Sequence, residues 1–252
     1  MLQETVLESD YTKTSASEND TSLKTPWRNS LVSVIIPALV LTDDLFYQAR
    51  KAVESLRTSD IELIIVDNGS TVGAEWLKEK ADIYLHYPNQ IGFGRACNQG
   101  LKLATSDYLM IASIDNEYLS GTVEEMCELY KLNEPGIGVI SPSMVNKGQA
   151  QVDQLFTDQT EGSTFLFSRK VYDLVKLPEV LYDERFEHGY YEDMDLWQRL
   201  RNLNLSLVRT GHILANHHQG TTNKHLGVLE KYMEINKKKY IEKWGELSKW
   251  TG

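Results

Sequence analysis

Short, unbroken apolar runs that alternate with helix-period stretches constrain this chain more than any other feature. Leu31 to Pro37 reads Leu-Val-Ser-Val-Ile-Ile-Pro, rich in β-branched residues, as expected of a strand buried on both faces of a parallel sheet. From Asp43 to Arg57 the apolar residues Leu45, Phe46, Ala49, Val53 and Leu56 follow helical spacing, and Ile61 to Val66 is a second buried strand. That is a βαβ unit. The alternation continues with a helix over Ala74 to Lys80, a strand at Asp82 to His86, a helix at Gly94 to Ala104 and a strand at Tyr108 to Ile114. A helix near Val123 to Lys131 follows, then strands at Gly138 to Ser141 and Ser163 to Ser168, a helix from Glu192 to Asn202 and the apolar stretch Leu205 to Ala215. The expected class is α/β, a mostly parallel central sheet flanked by helices, with ligands at the carboxyl ends of its strands.

The ends of the chain read differently. Residues 1–30 are rich in Ser and Thr and lack apolar periodicity, the pattern of a flexible tail. Residues 31–222 form the expected catalytic domain, and 223–252 an amphipathic helical segment, with Leu229, Met233, Tyr240, Trp244 and Leu247 at roughly helical spacing among lysines. No apolar run reaches the roughly 18 residues needed to cross a bilayer, and no secretory signal pattern opens the sequence, so the cytoplasm is the expected compartment. The Lys237-Lys238-Lys239 helix has two readings, a peripheral contact with the inner membrane surface or a solvated face. A formal charge of −10 argues against nucleic acid as a partner, since phosphate neutralisation needs concentrated basic surface. Cys97 and Cys127 fall in helix-like stretches without metal-ligand spacing and read as buried free thiols.

Polar motifs stand where the strands end. Val66-Asp67-Asn68-Gly69-Ser70 places an acid after a buried strand, followed by small residues that turn and expose backbone donors; a base or ribose contact and a plain turn with a helix cap both fit it. Asn89-Gln90-Ile91-Gly92-Phe93-Gly94-Arg95 leads into a helix with Arg95 near its first turn, a natural diphosphate contact. A dinucleotide fingerprint fails there, because its third glycine would fall at Cys97. Ile114-Asp115-Asn116-Glu117 sets two carboxylates two residues apart; if the segment is extended both face one side, suited to a divalent cation and a ribose. Tyr190-Tyr191-Glu192-Asp193-Met194-Asp195 puts aromatic residues before an acidic helix start. The helix dipole favours acids there, and a carboxylate facing a cleft would also serve as a general base toward a hydroxyl. Asn216-His217-His218 supplies adjacent imidazoles, either of which would complete a carboxylate metal site.

In this order the motifs resemble glycosyltransferase family 2 enzymes of the GT-A fold, especially the bacterial rhamnosyltransferase-like branch. The match runs from about Val32 to Thr222, and its most specific piece is Asp183-Glu184-Arg185-Phe186 followed by Glu192-Asp193-Met194-Asp195-Leu196. The resemblance implies an inverting, metal-assisted transfer of a hexosyl group from a nucleotide-diphosphate-sugar donor to a hydroxyl acceptor, a glycan or lipid-linked sugar. It implies Asp193 as base with Glu192 in support. Donor contacts would come from Pro37, Ala38, Asp67, Asn68, Gly92, Arg95, Asp115 and Asn116. Asp115, Glu117 and His217 or His218 would hold Mn2+ or Mg2+, and Gly162, Ser163, Tyr191 and Trp197 would line the acceptor side. Two departures stand out: Glu117 where the family usually has Asp, and Ala38-Leu39-Val40 where a polar residue often follows the first strand's proline.

Two rivals share parts of this pattern. A non-catalytic module that binds nucleotide sugars or glycans would keep the fold while tolerating both departures. A sugar nucleotidyltransferase should carry a glycine-rich basic loop after its first strand, and Ala38 to Asp44 has neither glycine nor base.

Overall fold

The computed structural model describes residues 10–12, 31–57, 59–145, 154–155, 160–218 and 229–245. Among them the elements run β1 (Asp10–Thr12), β2 (Val32–Ala38), α1 (Asp43–Leu56), β3 (Ile61–Asn68), α2 (Ala74–Lys80), β4 (Ile83–Tyr87), α3 (Phe93–Leu101), β5 (Tyr108–Ala112), β6 (Asn116–Tyr118), α4 (Thr122–Leu132), β7 (Ile137–Met144), β8 (Gln154–Leu155), β9 (Thr164–Ser168), α5 (Arg169–Val175), α6 (Glu192–Asn202), β10 (Ser206–His217) and α7 (Leu229–Trp244).

All the strands join one sheet in the order β1-β4-β3-β2-β5-β9-β7-β10-β6, with β8 against β10. The block β4-β3-β2-β5 is parallel, as its unbroken apolar runs require: β2 and β3 are buried at every position. β3 and β4 extend from one side of β2 and β5 lies on the other, which opens a crevice at the carboxyl ends of β2 and β5. Beyond β5 the sheet is mixed. β9 runs antiparallel to both β5 and β7, β10 is parallel to β7, and β6 returns antiparallel to β10. The sheet therefore has a parallel half and a mixed half beside it.

Helix packing holds the crevice in shape. α1 is capped by Thr42, whose hydroxyl accepts from Leu45 N, and it buries Leu45, Ala49, Ala52, Val53 and Leu56 against the sheet. α3 lies so close to β2 and β3 that a Cβ added at Gly100 would stand 2.5 Å from Ile35 and 3.2 Å from Val66. At the opposite end of these strands the buried Glu62 carboxylate accepts from Ser33 Oγ (2.5 Å) and from Thr105 N and Oγ1 (both 2.8 Å). This fixes where α3 leaves the sheet, since a buried charge persists only when its lone pairs are matched. Both cysteines are buried and free.

The two ends of the chain are partly described. Within the expected tail, Asp10–Thr12 adds an edge strand antiparallel to β4, and the rest of 1–30 lies outside the described residues. Of the segment 223–252, α7 is described and docks beside the loop that leads into α6: Lys243 Nζ lies 2.6 Å from Asp195, and Trp244 Nε1 donates to the same carboxylate at 2.8 Å. Among the described residues no helix is long and apolar enough to cross a membrane.

Candidate active site

A cleft of about 550 Å³ opens at the carboxyl ends of β2 and β5. Pro37 lies near the end of β2 and Leu39 follows it, Asn68 ends β3, and Ser113, Ile114 and Asp115 follow β5. The facing wall comes from the mixed half: Glu161, Gly162 and Ser163 ahead of β9, His188 to Tyr190 before α6, and Glu192 and Asp193 at its first turn; His217, at the end of β10, lies beside Asp115. A second hollow of about 570 Å³ lies beside Leu177 and Lys243. Its charged groups are largely spent on one another, Asp183 pairing with Lys243 at 2.7 Å and Arg185 at 2.9 Å.

The acidic wall is built on unusual backbone. His188, Gly189, Tyr190 and Tyr191 all have positive φ, at 61°, 136°, 72° and 71°; the left-handed region costs a residue with a Cβ about 1–2 kcal/mol. This turn delivers Glu192 and Asp193 as the first residues of α6. Burial, then the neighbouring Asp193 charge, pushes the Glu192 carboxyl up to about 8, against hydrogen bonds from its own amide and that of Tyr190. Burial likewise raises Asp193, opposed by the amides of Met194 and Asp193 itself and reinforced by the charge of Glu161. Met194 N donates to Asp193 Oδ1 at 2.8 Å. Asp193 is the more exposed of the two, so the pair's first ionisation belongs on its side. Glu192 Oε2 is buried with no hydrogen-bond partner among the described residues. Gly162 serves this wall through what it lacks: a Cβ there would overlap the Asp193 carboxylate and lie 3.0 Å from its Cγ.

Across the cleft, Asp115 accepts from Ser113 Oγ at 2.6 Å and lies 3.5 Å from His217 Nε2. Burial alone would raise its carboxyl, but the hydrogen bond and charge of His217, with Ser113, hold it below the usual range. Glu117 goes elsewhere. Asp115 sits in the turn before β6, so the alternation of an extended strand does not carry it to the face of Glu117. Glu117 pairs instead with His218 at 3.6 Å and Lys51 at 3.7 Å, and neither Glu117 nor His218 lines the cleft. The four expected metal ligands thus divide into two pairs, and among the described residues no three His, Cys, Asp or Glu side chains converge. One anionic carboxylate with one imidazole still suits a hard cation that takes its remaining ligands from a diphosphate and water. Asp115 and His217 are the residues that would hold it.

The other expected contacts separate in the same way. Pro37, Asn68, Asp115, Gly162, Ser163, Glu192, Asp193 and His217 meet at the cleft. Ala38 is fully buried behind Pro37. The Asp67 carboxylate is also fully buried, accepting from Tyr84 Oη (2.6 Å) and Ser70 N (2.8 Å), with His86 Nδ1 at 3.1 Å; it shapes the turn and carries the half-exposed His86 beside it. Asn116 is buried and donates to Ser163 Oγ at 3.2 Å, which ties the two walls together. Gly92 caps α3 with φ 95°, and an added Cβ would come within 3.1 Å of His188 N. Arg95 leans out of the cleft onto Glu184, donating to its carbonyl at 3.1 Å. Trp197 is fully buried with its ring edge against Phe165, because one turn beyond Asp193 the same face of α6 has passed onto β9. Tyr191 packs on Tyr240 of α7, and the preceding residue, Tyr190, takes the place at the cleft.

Sequence reading missed His188, Gln90, Ser113 and Glu161 at the cleft. His188 Nδ1 stands 3.1 Å from Gln90 Oε1, bridging the turn before α3 to the acidic wall. The His188-Gly189 pair before two tyrosines was the available signal, since a glycine among aromatic residues marks a tight turn.

The profile described as glycosyl transferase family 2 matches residues 33–179. The chain belongs to glycosyl transferase family 2. That match covers the parallel half and the strands β7 and β9, and stops short of α6. No curated protein matches the chain. Among solved structures it resembles the mannosyltransferase PcManGT from Pyrobaculum calidifontis in complex with GDP-Man and Mn2+ (TM-score 0.59, 15% identity, 84% of this chain and 64% of that one). It also resembles S. aureus TarS 1-349 in complex with UDP-GlcNAc (TM-score 0.58, 15% identity, 83% of this chain and 66% of that one). At such identity the likeness is one of fold, and the fold of this family 2 chain is GT-A. The chain spans just under two thirds of the length of these neighbours.

Proposed function

We propose that this chain transfers a glycosyl group from a nucleotide-diphosphate-sugar donor to a hydroxyl of a saccharide or lipid-linked saccharide acceptor, with inversion, and that Asp193 is the general base. The observation that carries the reading is that Asp193 and the Asp115–His217 pair line one cleft at the ends of β2 and β5. Membership of the family supports the reaction class, and the nucleotide sugars bound by the two neighbours support the donor class.

The donor's nucleotide would lie over Pro37, Leu39 and Asn68, where apolar surface and an amide meet. Asp115 and His217 would hold a divalent cation, Mn2+ or Mg2+, which when bound supplies neutralisation of charge on the leaving diphosphate. As the bond from sugar carbon to phosphate oxygen breaks, the acceptor oxygen attacks from the opposite face and gives up its proton to the Asp193 carboxylate. Glu192, buried and protonated at neutral pH, keeps a second negative charge away from Asp193 and leaves the base available as an anion. Gly162 leaves Asp193 the room it occupies, and His188 and Tyr190 wall the acceptor's side.

Asp193→Asn should lower turnover by roughly 100- to 10,000-fold while donor affinity, measured by titration calorimetry, stays within about threefold. Retained turnover removes Asp193 from this role. The divergence of Glu117 from the cleft favours one rival, a module that binds nucleotide sugars without turning them over; donor binding with no transfer to any acceptor would identify it.

A further inference from the structure

Asn236 lies in α7 and is completely buried. Its side chain is spent on the backbone that leads into α6. Nδ2 donates to the carbonyls of Glu187 (2.8 Å), Gly189 (2.8 Å) and Tyr190 (3.1 Å), and Glu187 N donates to Oδ1 at 3.0 Å. A primary amide has two N–H groups, so one is shared between two carbonyls, and the group both gives and accepts along one stretch of main chain. A side chain that only donates or only accepts cannot repeat this.

Two of the three carbonyls gathered by Asn236, those of Gly189 and Tyr190, belong to the stretch with successive positive φ values, His188 to Tyr191, and the third, that of Glu187, immediately precedes it. That conformation is intrinsically unfavourable and persists where its surroundings over-determine it. α7 supplies those surroundings. The Tyr232 ring lies 4.0 Å from that of His188, Tyr240 is 5.7 Å from Tyr191, and Lys239 Nζ donates to Arg185 O (2.7 Å) and Glu187 Oε1 (2.6 Å). With its carbonyls tied, the loop turns the Tyr190 amide toward the Glu192 carboxylate and sets His188 and Tyr190 along the cleft.

We propose that Asn236 is a positioning residue for the transfer reaction: it latches the left-handed loop to α7 and so aims Glu192 and Asp193 into the cleft. The proposal rests on reading those two acids as the acceptor-activating pair. Its specific content is that a residue on the C-terminal helix, without touching either substrate, sets kcat.

Three variants of the full chain test it. Asn236→Ala removes the latch. Asn236→Asp keeps the shape and presents oxygens to the three carbonyls, so it separates hydrogen-bond donation from packing. Leu56→Ala, in the buried face of α1, weakens the fold away from the loop. At a temperature where all are folded, both Asn236 variants should lose about 100-fold in kcat, the scale of a misaimed catalytic group, with donor KM within about threefold of the parent. Amide hydrogen exchange should quicken across 187–191 and stay unchanged in β2 and β3. A kcat within about threefold of the parent, or an equal kcat loss in Leu56→Ala, overturns the positioning role. Unchanged exchange in 187–191 overturns the latch. If Asp193→Asn keeps its turnover, the base assignment falls instead, and the exchange measurement on Asn236→Ala still decides whether the latch exists.

Discussion

At neutral pH the Glu192 carboxyl keeps its proton, because burial and the adjacent Asp193 charge lift it to about 8. An unfolded glutamate ionises near its ordinary value, about 4.3. Between that value and about 8, the folded chain holds a proton that the unfolded chain has released, so each rise in pH favours unfolding; below the window both forms are protonated, and above it both are ionised. Glu192 should therefore pull the thermal midpoint of the parent down between about pH 5 and about pH 8, and Glu192→Gln should lack that contribution. Thermal unfolding of the two proteins across this range is the measurement, and equal slopes would deny the raised ionisation. At this scale the sequence disclosed the acids and little of their geometry. Asp193 and Asp115 stood out by their company, three acids within four residues behind two tyrosines in one case and a second carboxylate two residues on in the other. The divergence of Asp115 from Glu117 turns on a bend at Ile114-Asp115 that residue spacing does not encode, and the burial of Trp197 depends on what α6 meets one turn along.

Behind the acidic wall, α6 buries an ion pair as well as Leu196, Trp197 and Leu200. Arg199 Nε donates to Asp195 Oδ2 at 2.9 Å, and its other nitrogens serve the carbonyls of Val175 and Leu181, both at 2.6 Å. Arg199→Met keeps the stem and removes every donor, leaving a fully buried carboxylate whose side-chain partners among the described residues are Lys243 and Trp244. It should cost about 3–5 kcal/mol, read as a lower urea midpoint with the m-value unchanged; a cost below about 1 kcal/mol would show the pair to be dispensable. Elements with strong periodicity were plain in the sequence. The helices at Ala74–Lys80 and Glu192–Asn202 end where expected, and the buried runs of β2 and β3 admit no other reading. α5 escaped because seven residues give barely two turns, and its start depends on the Ser168 hydroxyl accepting from Val171 N. The three-residue strand β6 exists only because β10 passes beside it, a pairing invisible to local pattern.

The whole molecule is a parallel half and a mixed half that share one sheet, with the cleft along their seam. A donor bound there touches both, so binding should stabilise the entire fold. At 100 times its dissociation constant, a nucleotide diphosphate with Mn2+ should add about 2.7 kcal/mol, a rise of about 5–11 °C in thermal midpoint for a chain of this size. A screen of nucleotide diphosphates and their sugars, with and without Mn2+ or Mg2+, names the donor, and a metal-independent shift would set the Asp115–His217 assignment aside. The α/β alternation and the place of the crevice were legible from the order of apolar runs, whereas the docking of α7 was not, because Asn236 looks like any polar residue on a charged helix. That docking closes a sequence span of 47 residues between Gly189 and Asn236, a contact whose loop-closure entropy falls due only once both ends are in place. Molecules with a finished sheet and an undocked last helix would look nearly native to a spectroscope yet transfer little sugar. On the proposed function, specific activity would then count completed molecules and so gauge the quality of a preparation.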